Sequence, residues 1–419
     1  MKKVILLTDF YFPHNNANGL CIGRIGNGLL KMGYEVHVIA YSDSSSSLED
    51  CIDGIYVHRV KPAFFYKMRS YYFKHSSHFV GKMVWFFALL DRRVRKLLFA
   101  YWYPFVYPMA AWRYIKKIKY ISEKFNCKNI IAGYNPIEAA IACLIFNERS
   151  DFHTIAYFMD TFTMTSNARN HPFIFNRGRW WEKKIFDRVG LIGNLAQYSN
   201  HFSSNFYHPW KEKMEVMDIP LDFSRVATKY KDSNAIQMLY TGGCSFEDRD
   251  PRYFVGLFEK LSKEMPVVLS FYGKNNVAEY LDNLNMNNSQ IRNQGFVSFL
   301  ELNKARARAN FMVNFGSKNE IIVPSRLLEH ISTGKPIIHV FYRNDDPCLD
   351  ILRNYPLVLL IDATAPYDKS YVELCKFVKT YNGTVVEQDT LEEIYKCYSQ
   401  DYLAKICDAY FCKNYECKD

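Results

Sequence analysis

The first forty residues read strand, loop, helix, glycine, strand, and this order restricts the possible folds more than any other feature of the chain. Lys2 to Leu7 is an apolar run that ends at Thr8-Asp9. The loop Phe10 to Asn18 closes at Gly19. Leu20 to Met32 then carries apolar residues at Leu20, Ile22, Ile25, Leu29 and Leu30, one face of a helix. Gly33 stops it, and Tyr34 to Ala40 is a second strand. Two such strands joined through a helix are parallel, so an α/β sheet is expected. Parallel sheets bind ligands beyond the carboxyl ends of their strands, which places Asp9 to Gly19 at a binding crevice. Gly23, Gly26 and Gly28 fall inside the helix and not at the turn before it. They therefore do not form a dinucleotide fingerprint.

The alternation continues, pauses and starts again. Asn129 to Gly133, His153 to Asp160 and Gly190 to Leu195 read as strands, with helices over Pro136 to Phe146 and Trp180 to Asp187. Val216 to Leu221 closes this half. Asp222 to Asn234 is polar and charged, and reads as a linker. Ile236 to Tyr240 opens a second series, followed by the turn Thr241-Gly242-Gly243. Helices over Pro251 to Lys263 and Leu300 to Ala309 alternate with strands at Val267 to Tyr272, Ile291 to Val297 and Phe311 to Phe315. The tail from Thr390 to Phe411 is helical in pattern. A chain of 419 residues exceeds one ordinary domain, so two α/β domains are expected.

The formal charge of +10 is concentrated in one place. Lys61 to Lys119 holds 13 Lys or Arg and one acid, Asp91, whereas the rest holds 40 basic and 42 acidic residues. Phe64 to Tyr120 also carries 19 aromatic residues. Interleaved Trp, Tyr, Phe, Lys and Arg suit an anionic membrane surface. A solvated helical face over an aromatic core is the alternative reading. Nucleic-acid binding has no motif to support it. Leu97 to Trp112 is uncharged but interrupted by Pro104 and Pro108, so it is too short and broken to span a bilayer. The apolar run after Met1-Lys2-Lys3 is too short for a signal peptide. The 11 cysteines include no CxxC pair, and Cys407, Cys412 and Cys417 have no histidine at ligand spacing. They read as reduced intracellular thiols, and a zinc site is not expected. Together these features point to a cytoplasmic protein.

One stretch, Val323 to Ile338, carries chemistry. It reads as a loop, a helix of about three turns, a tight stop at Gly334-Lys335-Pro336 and a buried strand. Pro324 suits a helix start and Ser325 a cap. The unpaired N–H groups of such a start attract phosphate, and Arg326 adds a full charge. Glu329, one turn in, is an acceptor that could hold a diol. An ordinary capped core helix fits the same local pattern.

Val323 to Ile338 resembles the Pro-Ser-Lys-x-x-Glu…Gly-Lys-Pro signature of the retaining GT-B glycosyltransferases of family 4. Thr8 to Val38 and Leu239 to Pro251 resemble that family's loop-helix and Tyr-x-Gly regions. The resemblance implies two Rossmann-like domains facing a central cleft, over 1–225 (with a basic aromatic insertion at 61–120) and 235–390. Helices over 391–419 would return to the first domain. It implies transfer of a sugar from a UDP- or GDP-linked donor to a glycan or polyprenyl-linked acceptor, with no resident cofactor and no required metal. By the same resemblance Glu329 holds the ribose hydroxyls, while Ser325, Arg326 and Leu327 present amides to the phosphates. Gly19, Gly242 and Gly243 face the donor, Arg249 stands near a phosphate-binding lysine, and Gly295 lies by the base pocket. The family's first glutamate falls at Ile321, one residue from Glu320, and its N-terminal histidine has no equivalent. Asp160 takes a comparable strand end. A sugar-nucleotide epimerase and an inactive partner subunit of the same fold remain as alternatives.

Overall fold

The computed structural model describes residues 2–13, 16–42, 47–62, 64–74, 78–98, 106–147, 151–221, 223, 235–273, 276–319 and 323–416. Backbone contacts divide the chain into two units. One is Met1–Pro220 with Gln400–Asp419, and the other is Leu221–Ser399.

The first unit begins with β1 (Lys3–Leu7), α1 (Ala17–Lys31), β2 (Glu35–Tyr41), β3 (Glu49–Ile52) and β4 (Ile55–Val60). Then come α2 (Phe64–Lys74), α3 (Phe79–Leu98), α4 (Pro108–Phe125), β5 (Asn129–Gly133), α5 (Ile137–Asn147) and β6 (His153–Phe158). It continues through α6 (Ser166–Asn170), α7 (Pro172–Phe186), β7 (Leu191–Asn194), α8 (Ser199–Phe202) and β8 (Met214–Val216). The strand order is β3-β4-β2-β1-β5-β6-β7-β8, and every pairing except β3 with β4 is parallel. The order reverses direction between β1 and β5, so a crevice opens beyond their carboxyl ends.

The second unit holds β9 (Ile236–Thr241), α9 (Arg252–Ser262), β10 (Val267–Tyr272), α10 (Ala278–Asn287), β11 (Ile291–Gly295), α11 (Phe299–Arg308) and β12 (Phe311–Phe315). It ends with α12 (Ser325–Ile331), β13 (Ile337–Phe341), α13 (Pro347–Leu352), β14 (Val358–Asp362), α14 (Tyr367–Tyr381) and α15 (Gln388–Ile394). Its order is β11-β10-β9-β12-β13-β14, all parallel. The reversal here lies between β9 and β12. Strands such as β12 (Phe-Met-Val-Asn-Phe) are buried throughout, as expected when helices cover both faces of a sheet.

α1 begins at Ala17, three residues before its first periodic apolar residue. Asn16 caps it, its side chain accepting from Gly19 N–H at 3.0 Å. A cap can start a helix ahead of the stripe that buries it. The last helix, α16 (Gln400–Glu416), packs on α1. Gly28 makes this approach possible, because a Cβ there would stand 2.6 Å from the Gln400 carbonyl oxygen. Leu403, Ala404, Cys407 and Phe411 enter the first unit's core, and Asp408 ties Lys2 at 2.6 Å and the Tyr34 hydroxyl at 2.7 Å.

The basic aromatic segment forms α2, α3 and α4. On α3, Gly81, Ala88 and Trp85 lie on the inner side, the Trp85 ring stacking on Tyr72 of α2 at 5.0 Å. The opposite stripe, Phe79, Met83, Phe86, Phe87, Leu90 and Val94, faces solvent, with Phe79 77% exposed and Phe86 62%. The 3.6-residue period is present, but the apolar side points outward. None of the described helices is long and apolar enough to cross a membrane.

Candidate functional site

At the reversal point of the second sheet, β9 ends at Thr241, Gly242 follows it, and α12 lies across that end. Arg326 of α12 donates through Nη1 to the Thr241 carbonyl at 2.9 Å, the Tyr240 hydroxyl at 3.2 Å and the Gly243 carbonyl at 3.4 Å. Gly242 has φ +112°, and a Cβ there would sit 1.4 Å from Nη1. Both its backbone and the guanidinium therefore demand glycine. All three partners of Arg326 are neutral oxygens. Among the described residues no carboxylate pairs with it.

Beneath it, His330 is fully buried, and its Nε2 lies 2.8 Å from Thr241 Oγ1. Burial, with Arg306 and Arg326 nearby, holds this imidazole neutral by pushing its pKa well below the usual value. Arg326 and His330 together bind α12 to β9. Glu329, half-buried between them in sequence, faces Arg306 of α11 at 3.8 Å. Arg249 lies in the loop after β9. It pairs with Asp248 at 3.4 Å, and its Nε is buried without a partner.

α12 differs from its sequence pattern. It has seven residues, about two turns. Pro324, not Ser325, takes the cap position, with no side-chain cap bond, and Ser325 is the exposed first helical residue. Proline has an extended ψ here (131°), which fits a cap. The Leu327 N–H turns back to the Pro324 carbonyl at 2.9 Å. The stop at Gly334 has φ +70°.

The remaining candidates lie as follows. Gly243 receives the Tyr240 hydroxyl at its carbonyl, 2.8 Å away. Gly295 ends the edge strand β11 with φ +63°, and its carbonyl accepts from Gly273 N–H at 2.7 Å. A cavity of about 300 Å³ lies between β9, β10, β11 and α11, lined in part by Gln237, Ser270, Arg292 and Glu301. Glu320 lies outside the described residues. Gly19 sits in the first turn of α1, its Cα so close to the Phe10 carbonyl that a Cβ would clash at 1.8 Å. Asp160 follows β6, accepting from Thr161 N–H at 2.9 Å and the Tyr198 hydroxyl at 3.1 Å. Thus Gly242, Gly243 and Arg326 come together in one cluster, while Gly19 and Asp160 belong to the first unit.

Several residues here escaped the sequence reading. Thr241 and His330 lack any local signal beyond a polar residue at a strand end or a helix face. Lys335 reads in sequence only as part of the Gly-Lys-Pro stop, yet its ammonium donates to carbonyls at the end of α11. Glu182 of α7 is fully buried and anchors the loop after Asp160. It accepts from Phe162 N–H at 2.9 Å, Thr163 Oγ1 at 3.1 Å and the Tyr207 hydroxyl at 2.6 Å. Burial raises its carboxyl to about 7. A carboxyl raised in the folded state contributes stability below its unfolded value, lost as pH rises through 7. Replacement by the neutral amide removes that dependence. Wild type should therefore lose about 3 kcal/mol relative to Glu182→Gln between pH 4.5 and pH 8. Urea unfolding at several pH values measures this, and parallel curves would refute it. His201, lowered to about 4 by burial and Arg179, acts oppositely as pH falls from 6.5, and it is common to both proteins.

No family model matches the chain, and no curated protein matches it in sequence. Its structure is similar to that of HepE from Anabaena in complex with UDP and glucose. The TM-score is 0.59 at 11% identity, covering 99% of this chain and 100% of that one. It is also similar to a glycosyltransferase from Rickettsia africae (TM-score 0.61, 10% identity, 98% and 97% covered). A putative UDP-N-acetylglucosamine 2-epimerase from Listeria monocytogenes is similar too (TM-score 0.58, 9% identity, 100% and 98% covered). The likeness is one of fold, and the fold is GT-B, with two doubly wound α/β units.

Proposed function

We propose that the chain is a retaining glycosyltransferase that takes its sugar from a UDP- or GDP-linked donor. The observation that carries this reading is the Arg326 guanidinium, held by three neutral oxygens at the reversal point of the second sheet. Such a site suits the diphosphate of a nucleotide sugar. Breaking a glycosyl phosphate bond leaves negative charge on the departing diphosphate, and preplaced cations stabilise it most. Arg326 and the partly compensated Arg249 supply that charge, so the reaction needs no metal. Glu329 accepts the ribose hydroxyls while Arg306 orients it. The acceptor hydroxyl attacks from the face the diphosphate leaves, and the diphosphate takes its proton. HepE, which shares this fold, is solved in complex with UDP and glucose, which supports the donor class.

A panel of UDP- and GDP-sugars tests this reading. One donor should raise the melting temperature, since a ligand that binds only the folded state stabilises it. That donor should be consumed only when a glycan acceptor is present, and NMR should show a retained anomer. Turnover of the donor alone would favour the epimerase, a reading suggested by the Listeria neighbour. No stabilisation by any donor would leave the inactive partner subunit.

The acceptor in this reading is a lipid-linked glycan at the inner face of the plasma membrane. The outward apolar stripe of α3 supports it. Each large side chain buried in lipid contributes roughly 1.5–3 kcal/mol. On α4, Met109 and Trp112 are also exposed. Lys61, Arg113 and Lys116 border a mostly apolar cavity of about 380 Å³ together with Lys117, which pairs with Glu49, and these basic groups would draw the segment towards anionic headgroups. The wild-type chain should float with vesicles containing phosphatidylglycerol, and Phe79→Ser/Phe86→Ser should lose at least ten-fold in binding. Equal flotation of both proteins would remove the membrane role of α3.

A further inference from the structure

We infer that His339, Asp346 and Cys348 form a binding site for one zinc-class divalent cation in the second unit. Each lies beyond or near a carboxyl end of the sheet. His339 is in β13, Asp346 caps α13, and Cys348 is in its first turn. All three are at least 95% buried, and one ligand atom from each lies within 4.8 Å of the others. One nitrogen, one carboxylate oxygen and one sulfur form a donor set suited to zinc.

The polar atoms of the three side chains converge on one point, where the Asp346 carboxylate faces both the His339 imidazole and the Cys348 thiol. Asp346 spends Oδ1 on the Cys348 N–H at 2.9 Å, leaving Oδ2. His339 meets the Asn314 amide through Nδ1 at 2.8 Å, leaving Nε2. Nε2 and Oδ2 then stand 3.3 Å apart, yet neither has a well-directed hydrogen bond. Bonds of 2.0–2.2 Å at tetrahedral angles put two ligand atoms roughly 3.4 Å apart. The separation suits two ligands of a common ion, and the sulfur, which lies within 4.8 Å of both, would draw closer when an ion binds.

The surroundings fit as well. A metal-bound histidine gives its second N–H to an acceptor. Asn314 Oδ1 is buried without a partner and becomes that acceptor when the amide turns over. A divalent ion with one carboxylate, one thiolate and a neutral imidazole has no net charge, which suits a buried position. The thiol proton leaves to solvent on binding. Three protein ligands leave a fourth position open. The ion would join β13 to α13. This site does not depend on the glycosyltransferase reading.

The test uses the full chain, freed of metal with a chelator and titrated with Co²⁺ and then Zn²⁺. One equivalent of Co²⁺ should bind with a thiolate-to-cobalt absorption band, and Zn²⁺ should displace it and raise the melting temperature. Cys348→Ser should lose the band, while Cys397→Ser, which alters an exposed thiol, should keep it. A folded wild-type chain that binds neither ion at micromolar concentration overturns the inference. So does a band that survives in Cys348→Ser. Because the wild-type titration needs no substitution, misfolding of a variant does not blunt the test.

Discussion

Arg326→Ala is expected to lower kcat/KM for the nucleotide sugar by roughly 10²–10³, which corresponds to about 3–4 kcal/mol of transition-state stabilisation. The guanidinium places a full positive charge at the site. It is also held in place by Thr241, Tyr240 and Gly243, so it pays no reorganisation when the diphosphate leaves. Arg326→Lys should recover little. A lysine ammonium is a compact, strongly hydrated charge on a flexible stem, and it lacks the rigid guanidinium plane that holds Nη1 against two carbonyls and a hydroxyl. The loss should fall mainly in kcat, because the charge on the leaving group is greatest in the transition state. Steady-state kinetics with the donor found by thermal screening measure it. A variant within three-fold of wild type would remove Arg326 from the leaving-group site and leave it a structural tie.

The second large effect concerns stability. Lys335 is 4% exposed, and its ammonium donates to the carbonyls of Arg306, Ala307 and Ala309, at 2.8 Å and 2.6 Å for the first two. These groups lie at the end of α11, where orphan carbonyls gather and a cation is favoured. Burial lowers the amine to about 8, while the carbonyl dipoles favour its charged form. Lys335→Met keeps the length of the side chain and removes all three donors. The second unit should lose about 3 kcal/mol, the penalty of leaving several buried acceptors unsatisfied. The effect should be read by urea unfolding at pH 7. A loss below 1 kcal/mol would show that water replaces the ammonium. Since Arg306 also faces Glu329, donor affinity should fall with stability in this variant.

Much of the architecture was legible because strands and helices announce themselves locally. The run Val4-Ile5-Leu6-Leu7, the stop at Gly33 and the strand at Val36 needed only periodicity and a turn residue. The restart at Ile236 was equally plain. Element ends were less so. Asn16 starts α1 before its apolar stripe, and Pro324 displaces Ser325 from the cap, because a cap is decided by backbone angles that several residue types can satisfy. The outward stripe of α3 shows the limit of periodicity. The same spacing describes a buried face and an exposed one, and only packing against α2 tells them apart.

The candidate site divides in the same way. Glu329, Arg326 and Gly242 were visible as residue types, since a Gly-rich turn after a strand and a charged helix start are local patterns. The sequence by itself determined two α/β series, the glycine at the end of β9, and a cation and an acid on one short helix. Only the tertiary structure decided that Arg326 reaches back to the Gly242 turn, that His330 and Thr241 join beneath it, and that Lys335 closes α11. It likewise drew His339, Asp346 and Cys348 to one point, although no metal-ligand spacing links them. His339, Asp346 and Cys348 come from the successive elements β13 and α13, but the Arg326, His330 and Lys335 contacts join elements apart in the chain. Their partners are set by strand order and helix packing, quantities that no local window of sequence contains.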